Sequence, residues 1–412
     1  MTTDLVLAIG VMIIAGFLGG VVMRKIKFPR VTGYIVVGIL LSPSVLGSFG
    51  LDFLSKAAVD SLDIITNVAL GIVAYSIGKS LRTESIRKTG RIIAWIAPLQ
   101  SLGAWLLVTL VIAFLSPLIL SFPGKTFLQF YFPIALILGA IASATAPALT
   151  LAIIHDCRAR GPLTTTLLAV VAIDDAIAVI AFAIAVGFAQ PLVSGVGAVS
   201  YYQMFAVPFL GILKSVGIGV AFGFALINIA KLVKTRKLVL VAVLGVILTC
   251  VGVANFLGIS LIMANMVVGF VVVNKGRKDE PFPVIENIED VVFTFFFVLA
   301  GMHFDASVMK TAGILALSLF SIRFAGKYYG ARIGARIAHA PEAIKKYIGF
   351  ALLPQAGVAI GLAILARSAF PESPVLGDIL LNAVLASVII SEIVAPPLVK
   401  YGITKAGEAA RS

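Results

Sequence analysis

Long apolar runs fill the chain from end to end, and small clusters of charge break them at short intervals. Each run is about 20 residues long, the length a helix needs to cross a hydrocarbon core of roughly 30 Å. Runs and breaks predict thirteen helices, near 4–23, 31–48, 58–78, 92–118, 129–154, 163–189, 205–230, 237–254, 258–274, 286–304, 308–331, 344–366 and 376–399. The expected fold class is therefore an all-α polytopic membrane protein of about 13 transmembrane helices.

Composition agrees with the pattern. Of the 412 residues, 60% are hydrophobic and 12% charged, where a soluble domain carries about 25% charged residues. A soluble enzyme, a disulfide scaffold and a disordered chain are excluded. Cys157 and Cys250 offer neither a disulfide framework nor metal-ligand spacing. Arg24, Lys25, Lys27 and Arg30 follow the first apolar run rather than precede it, so that run reads as a retained span and not as a secretory signal.

The net charge of +13 points to membrane topology rather than to nucleic acid. Twenty-five basic residues fall in one set of alternate loops and the tail; the other set holds only Lys56, Lys125, Lys310 and Arg367. A misplaced span would scramble that alternation. The bias puts the N-terminus outside and the C-terminus in the cytoplasm of a cell (inner) membrane.

Charge inside the spans is expensive and marks function by default. Lys214, Arg323 and Lys327 lie there, with Asp174, Asp175 and Glu392 as the deepest acids. Two spans also carry punctuation at their centres. The fifth reads GAIASATAPALTLAI, with Ser143, Thr145 and Pro147; the twelfth reads FALLPQAGVAIGLAI, with Pro354, Gln355 and Gly357. Proline removes a backbone donor and crowds the preceding turn, so both helices should kink or unwind. Backbone freed at mid-membrane must line a cavity or be covered by protein.

The broken fifth span precedes the span of Asp174 and Asp175, and the broken twelfth precedes the span of Glu392. Spans one to six (4–189) and eight to thirteen (237–399) then lie as two six-helix halves, with 205–230 as linker. An odd linker inverts the second half, the plan in which two discontinuous helices cross at the midplane. One transporter domain over 1–412 is expected, with no soluble regulatory domain.

The stretch ATAPALTLAIIHDCRARGPLTTTLLAVVAIDDAIAVI (144–180) resembles the monovalent cation:proton antiporter superfamily, in its bacterial sodium/proton and potassium/proton branch. FTFFFVLAGMHFD (293–305), IRFAGKYYGARIGA (322–335), LLPQAGVAIGLA (352–363) and, more loosely, ALGIVAYSIGKSL (69–81) carry the likeness along nearly the whole chain. The resemblance implies an ion-binding carboxylate at Asp175 with Asp174 as its neighbour, Arg323 as their charge partner, and oxygens near Thr145 completing a Na⁺ or K⁺ site. It implies an elevator-type motion of spans four to six and eleven to thirteen against a dimerisation bundle, and a homodimer. Arg323 stands where many relatives have lysine. An arginine keeps its proton, so a lysine-borne second proton would be denied. Lys79 stands where relatives often have glutamate and reads as a snorkelling span end.

The residues support the same chemistry unaided. Adjacent aspartates in a partly dry cavity cannot both ionise cheaply without a cation, so they titrate as one unit. A monovalent cation (Na⁺ first, then K⁺ or Li⁺) and a proton then compete for the same oxygens. Competition at a site open alternately to each side gives exchange, with no cofactor and no enzymatic step. The alternative is a sodium-coupled organic-anion symporter. His155, His303 and His339 read as solvated, Lys327 as turned to the cytoplasmic interface, and Asp60 and Asp63 as an interfacial cap. Glu392 is a candidate for polar support of the core.

Overall fold

The computed structural model describes residues 5–26, 30–48, 59, 62–81, 83–120, 126–146, 149–150, 153–154, 157–194, 206–232, 235–276, 281–304 and 309–409. Among them regular structure is helical throughout. In chain order the helices are α1 (Leu5–Lys25), α2 (Arg30–Leu40), α3 (Pro43–Ser48), α4 (Asp63–Ser80) and α5 (Thr83–Ile119). A π-helical turn (Phe127–Tyr131) leads into α6 (Phe132–Ala142), followed by α7 (Pro162–Ser194), α8 (Val207–Leu232), α9 (Arg236–Phe256) and α10 (Leu261–Lys275). The last are α11 (Pro281–Met302), α12 (Met309–Ile337), α13 (Glu342–Ala351), α14 (Gly357–Ala369) and α15 (Pro374–Lys405). A helix overlaps each of the thirteen apolar runs. Among the described residues, six stretches are long and apolar enough to cross a bilayer unaided: Leu5–Lys25, Gly90–Ile119, Pro162–Ser194, Phe209–Leu232, Lys237–Phe256 and Pro374–Lys405.

The helices gather into two compact units. Unit 1 comprises Met1–Thr83 and Phe209–Ala306. Its closest pairing is α4 on α10, where a Cβ placed on Gly78 would lie 2.8 Å from the Cα of Gly269. Small residues at that crossing let the backbones touch, the usual device where lipid offers no hydrophobic drive between helices. His303 also belongs here and corrects an expectation. It is only 8% exposed, and its Nδ1 lies 2.9 Å from the Leu299 carbonyl. The ring folds back on the last turn of α11 instead of standing in solvent. His339 is exposed, as expected.

Unit 2 comprises Glu84–Pro208 and Ser307–Ser412. It holds both interrupted helices. The first stops at Ala142 and leaves residues 143–146 outside any helix; the second stops at Ala351, and α14 starts only at Gly357. The two breaks bond to each other, the Ala146 amide donating to the Pro354 carbonyl at 2.8 Å. Across the unit α12 packs on α13 and α15, and α6 on α7. Gly103 on α5 meets Gly326 on α12, where an added Cβ would sit 2.6 Å from the Gly103 carbonyl oxygen.

α7 runs unbroken through the Asp174–Asp175 pair. Pro162 opens it, at the position where a missing N–H costs nothing. Its remaining orphan amides are met from far along the chain. The Leu163 and Thr164 amides donate to the two carboxylate oxygens of Glu408 at 2.7 and 2.8 Å, and the Thr164 hydroxyl donates at 2.7 Å. Gly407, with φ of +77°, turns the chain after α15 so that Glu408 can reach. A carboxylate on a helix N-terminus satisfies donors and the dipole together. Glu408→Ala is expected to cost about 1–2 kcal/mol of stability. The check is amide exchange at Leu163 and Thr164 with thermal unfolding in detergent; unchanged protection at both amides would refute the cap.

Candidate functional site

Four elements of unit 2 bring polar groups to one buried place. α5 supplies Gln100 and Ser101, the first break supplies Ser143 and Thr145, α7 supplies the aspartates, and α12 supplies Arg323 and Lys327. Arg323 and Lys327 are four residues apart and so share one face of α12. All eight are buried.

Asp174 is saturated. Its Oδ1 accepts from Gln100 Nε2 and Ser101 Oγ, and its Oδ2 accepts from Thr145 Oγ1 and from Lys327 Nζ at 2.8 Å. The ammonium of Lys327 also reaches Gln100 Oε1 at 2.8 Å, the Ser143 carbonyl at 2.6 Å and Thr145 Oγ1 at 2.7 Å. Neither side chain of the ion pair has any exposed surface. A charge pair this dry is tolerable only because neighbours satisfy the remaining donors and acceptors.

Arg323 does something else. Its Nε donates to the Ala142 carbonyl at 2.8 Å, Nη1 to Leu353 at 2.6 Å, and Nη2 to Ala144 at 2.7 Å and Pro354 at 3.4 Å. These are the carbonyls that the two interruptions set free, at the C-terminal, electronegative ends of α6 and α13. The five-donor fork of a guanidinium suits several diverging acceptors better than an ammonium does.

The expected charge partner is therefore corrected: Lys327, not Arg323, pairs with Asp174. The expectation that Lys327 turns to the cytoplasmic interface fails with it. α12 continues to Ile337, ten residues beyond Lys327, or about 15 Å of helix. Lys327 has no exposed surface, and its ammonium is held by Asp174, Gln100, Ser143 and Thr145.

Asp175, next in the chain, is 2% exposed, and its Oδ1 has no hydrogen-bond partner among the described residues. The backbone N–H of Thr145 faces its carboxylate. One carboxylate is thus fully engaged while its neighbour keeps an acceptor free.

The second break adds Gln355, whose Nε2 donates to the Ile141 carbonyl at 3.2 Å and whose amide donates to Ser391 Oγ at 3.1 Å. Pro354 is buried beside it, and Gly357 opens α14. Glu392 follows Ser391 on α15 and is 1% exposed. Pro147, His155 and Asp60 lie outside the described residues, as do the side chains of Lys79 and Asp63. Lys214 is exposed on α8. Gln100 and Ser101 were not anticipated, although the adjacent polar pair inside the apolar run IAPLQSLGAW was a visible signal.

Residues 10–401 match the family described as sodium/hydrogen exchanger, transmembrane. A cation/H(+) antiporter of Arabidopsis thaliana is 25% identical over 351 residues, which are 79% of this chain and 40% of that protein. The chain thus spans well under half the length of that relative. Two structures of a sodium proton antiporter from Methanocaldococcus jannaschii share the fold. One, at pH 8, has a TM-score of 0.75 and 17% identity, with 97% of this chain and 98% of that one covered. The other, an electron-microscopy map, has a TM-score of 0.71 and 16% identity over the full length of both chains.

Removing one member of a buried pair strands the other. Lys327→Met is expected to destabilise the protein by about 3–5 kcal/mol, and Lys327→Met with Asp174→Leu by clearly less. Thermal unfolding of the single and double variants checks this; equal losses in both would argue against the pairing.

Proposed function

The chain belongs to the transmembrane sodium/hydrogen exchanger family, and on that premise we propose that it is a secondary antiporter exchanging a monovalent cation for a proton. The observation that carries the reading is the contrast within the acidic pair. Asp174 is locked by four donors, while Asp175 keeps a buried oxygen without one. A buried carboxylate oxygen without a donor is costly. Either a proton or a cation relieves it, and the two exclude each other.

Charge arithmetic supports one-for-one competition. With both carboxylates ionised, Asp174 and Asp175 balance Arg323 and Lys327. A proton on Asp175 adds one positive charge, and so does Na⁺, K⁺ or Li⁺. Na⁺ is the first candidate on the family likeness, with K⁺ and Li⁺ as alternatives. Since the partner of Asp174 is a lysine, which can give up its proton where an arginine cannot, the route to a second transported proton is open at Lys327.

The groups of this site all belong to unit 2, so a movement of that unit as one body would carry the site from one face to the other. We assign elevator-type alternating access on that basis. The remaining assignments rest on the basic-loop bias and the family likeness: a cell-membrane protein with its N-terminus outside and C-terminus in the cytoplasm, built of two inverted repeats and working as a homodimer.

Asp175→Asn is expected to abolish exchange, since an amide neither releases a proton nor neutralises a cation. The measurement uses proteoliposomes with an acid interior and a pH-sensitive dye, to which Na⁺, K⁺, Li⁺ and choline are added in turn. Alkalinisation by one alkali cation, lost with choline and in the variant, supports the reading. Undiminished exchange in the variant would sink the Asp175 assignment, and silence toward every alkali cation would favour the organic-anion symporter.

A further inference from the structure

A cation held by Asp175 needs more than one oxygen, and six of the carbonyls at the two breaks are already engaged. The Ile141 carbonyl accepts from Gln355, Ala142 and Ala144 from Arg323, and Ser143 from Lys327. Leu353 accepts from Arg323 and from Ser391 Oγ, and Pro354 from the Ala146 amide. Oxygens outside this set must complete the shell. Among the described residues of unit 2, two side-chain carbonyl or carboxylate oxygens are buried without a donor: Asp175 Oδ1 and Gln355 Oε1.

The orientation of Gln355 is settled by its contacts. Only an N–H can serve the Ile141 carbonyl, so that end of the amide is Nε2 and the other is the acceptor. Its backbone is held by Ser391, and the side chain is fully buried. Both side chains reach the first interruption: Gln355 at the Ile141 carbonyl in the last turn of α6, and Asp175 beside Thr145 in the unwound segment that follows.

We propose that Gln355 Oε1 is the neutral oxygen ligand that accompanies Asp175 on the transported cation, and that Gln355 thereby sets cation selectivity; this rests on the exchange reading of the site. A proton on Asp175 needs no second ligand, whereas an alkali cation stripped of water does. A neutral carbonyl therefore biases the competition toward the cation without adding charge.

The experiment measures exchange against Na⁺, K⁺ and Li⁺ concentration in proteoliposomes for wild type, Gln355→Leu and the isosteric Gln355→Glu, each normalised to folded protein. Melting in detergent with and without each cation is followed in parallel. In Gln355→Leu the half-saturating cation concentration should rise about tenfold, the loss expected for one ligand to a charge, with maximal rate far less affected. In Gln355→Glu the order of preference among the three cations should change. A residue that merely holds Ile141 would lower the melting temperature of the leucine variant and leave half-saturation and preference in both variants at wild-type values. That result overturns the assignment, and the glutamate variant decides alone if the leucine variant does not fold. A wild-type protein without cation-dependent exchange or melting would instead remove the exchange reading, and this assignment with it.

Discussion

Interrupting a helix at membrane depth frees carbonyls that neither lipid nor a continuing helix can satisfy, and unit 2 contains two such interruptions. Arg323 answers both at once, taking the Ala142 and Ala144 carbonyls from the first and the Leu353 and Pro354 carbonyls from the second. A buried guanidinium is itself costly unless its donors are used. The breaks and the arginine therefore stabilise each other. Other placements follow: α12 must lie close to both breaks, and the small residues at Gly103 and Gly326 let α5 follow it inward. That approach delivers Gln100 and Ser101 to Asp174.

The same helix face that holds the breaks also divides the acidic pair. Successive residues of a helix point about 100° apart, so Asp174 and Asp175 meet different sets of donors although Thr145 lies beside both. Asp174 faces α5 and Lys327, where four donors meet it; Asp175 retains an oxygen with none. One carboxylate becomes part of the scaffold, and the other is the one we propose as the reversible site. The cap of Glu408 on the first turn of α7 ties the helix of that pair to the end of α15. The helix on which the pair sits is thus anchored at its start.

Much of this was legible in the chain. The apolar runs foretold the helices because membrane length and backbone satisfaction allow little else. Pro354 with Gln355 and Gly357 marked a break, and the IDD pair marked the buried polar cluster of unit 2, because intramembrane charge and punctuation are too costly to be incidental. Choosing between Arg323 and Lys327 lay beyond that reasoning. Both are basic, both sit on one face of α12, and one turn separates them. Which ammonium or guanidinium meets a carboxylate depends on where the unwound carbonyls lie, and those belong to other helices. Gln100 and Ser101 escaped notice for a related reason: an uncharged polar pair in an apolar span acquires meaning only from what it faces.

The sequence by itself determined the helical membrane fold, the positions of the breaks and the identity of the acidic pair, since each follows from local cost: length in lipid, a missing donor, a desolvated charge. The tertiary structure decided the partners. It gave Lys327 to Asp174 and Arg323 to the broken backbone, folded His303 onto α11, and left oxygens of Asp175 and Gln355 without donors. Apart from His303, those outcomes depend on donors and acceptors up to 227 residues apart, whose geometry no local pattern encodes.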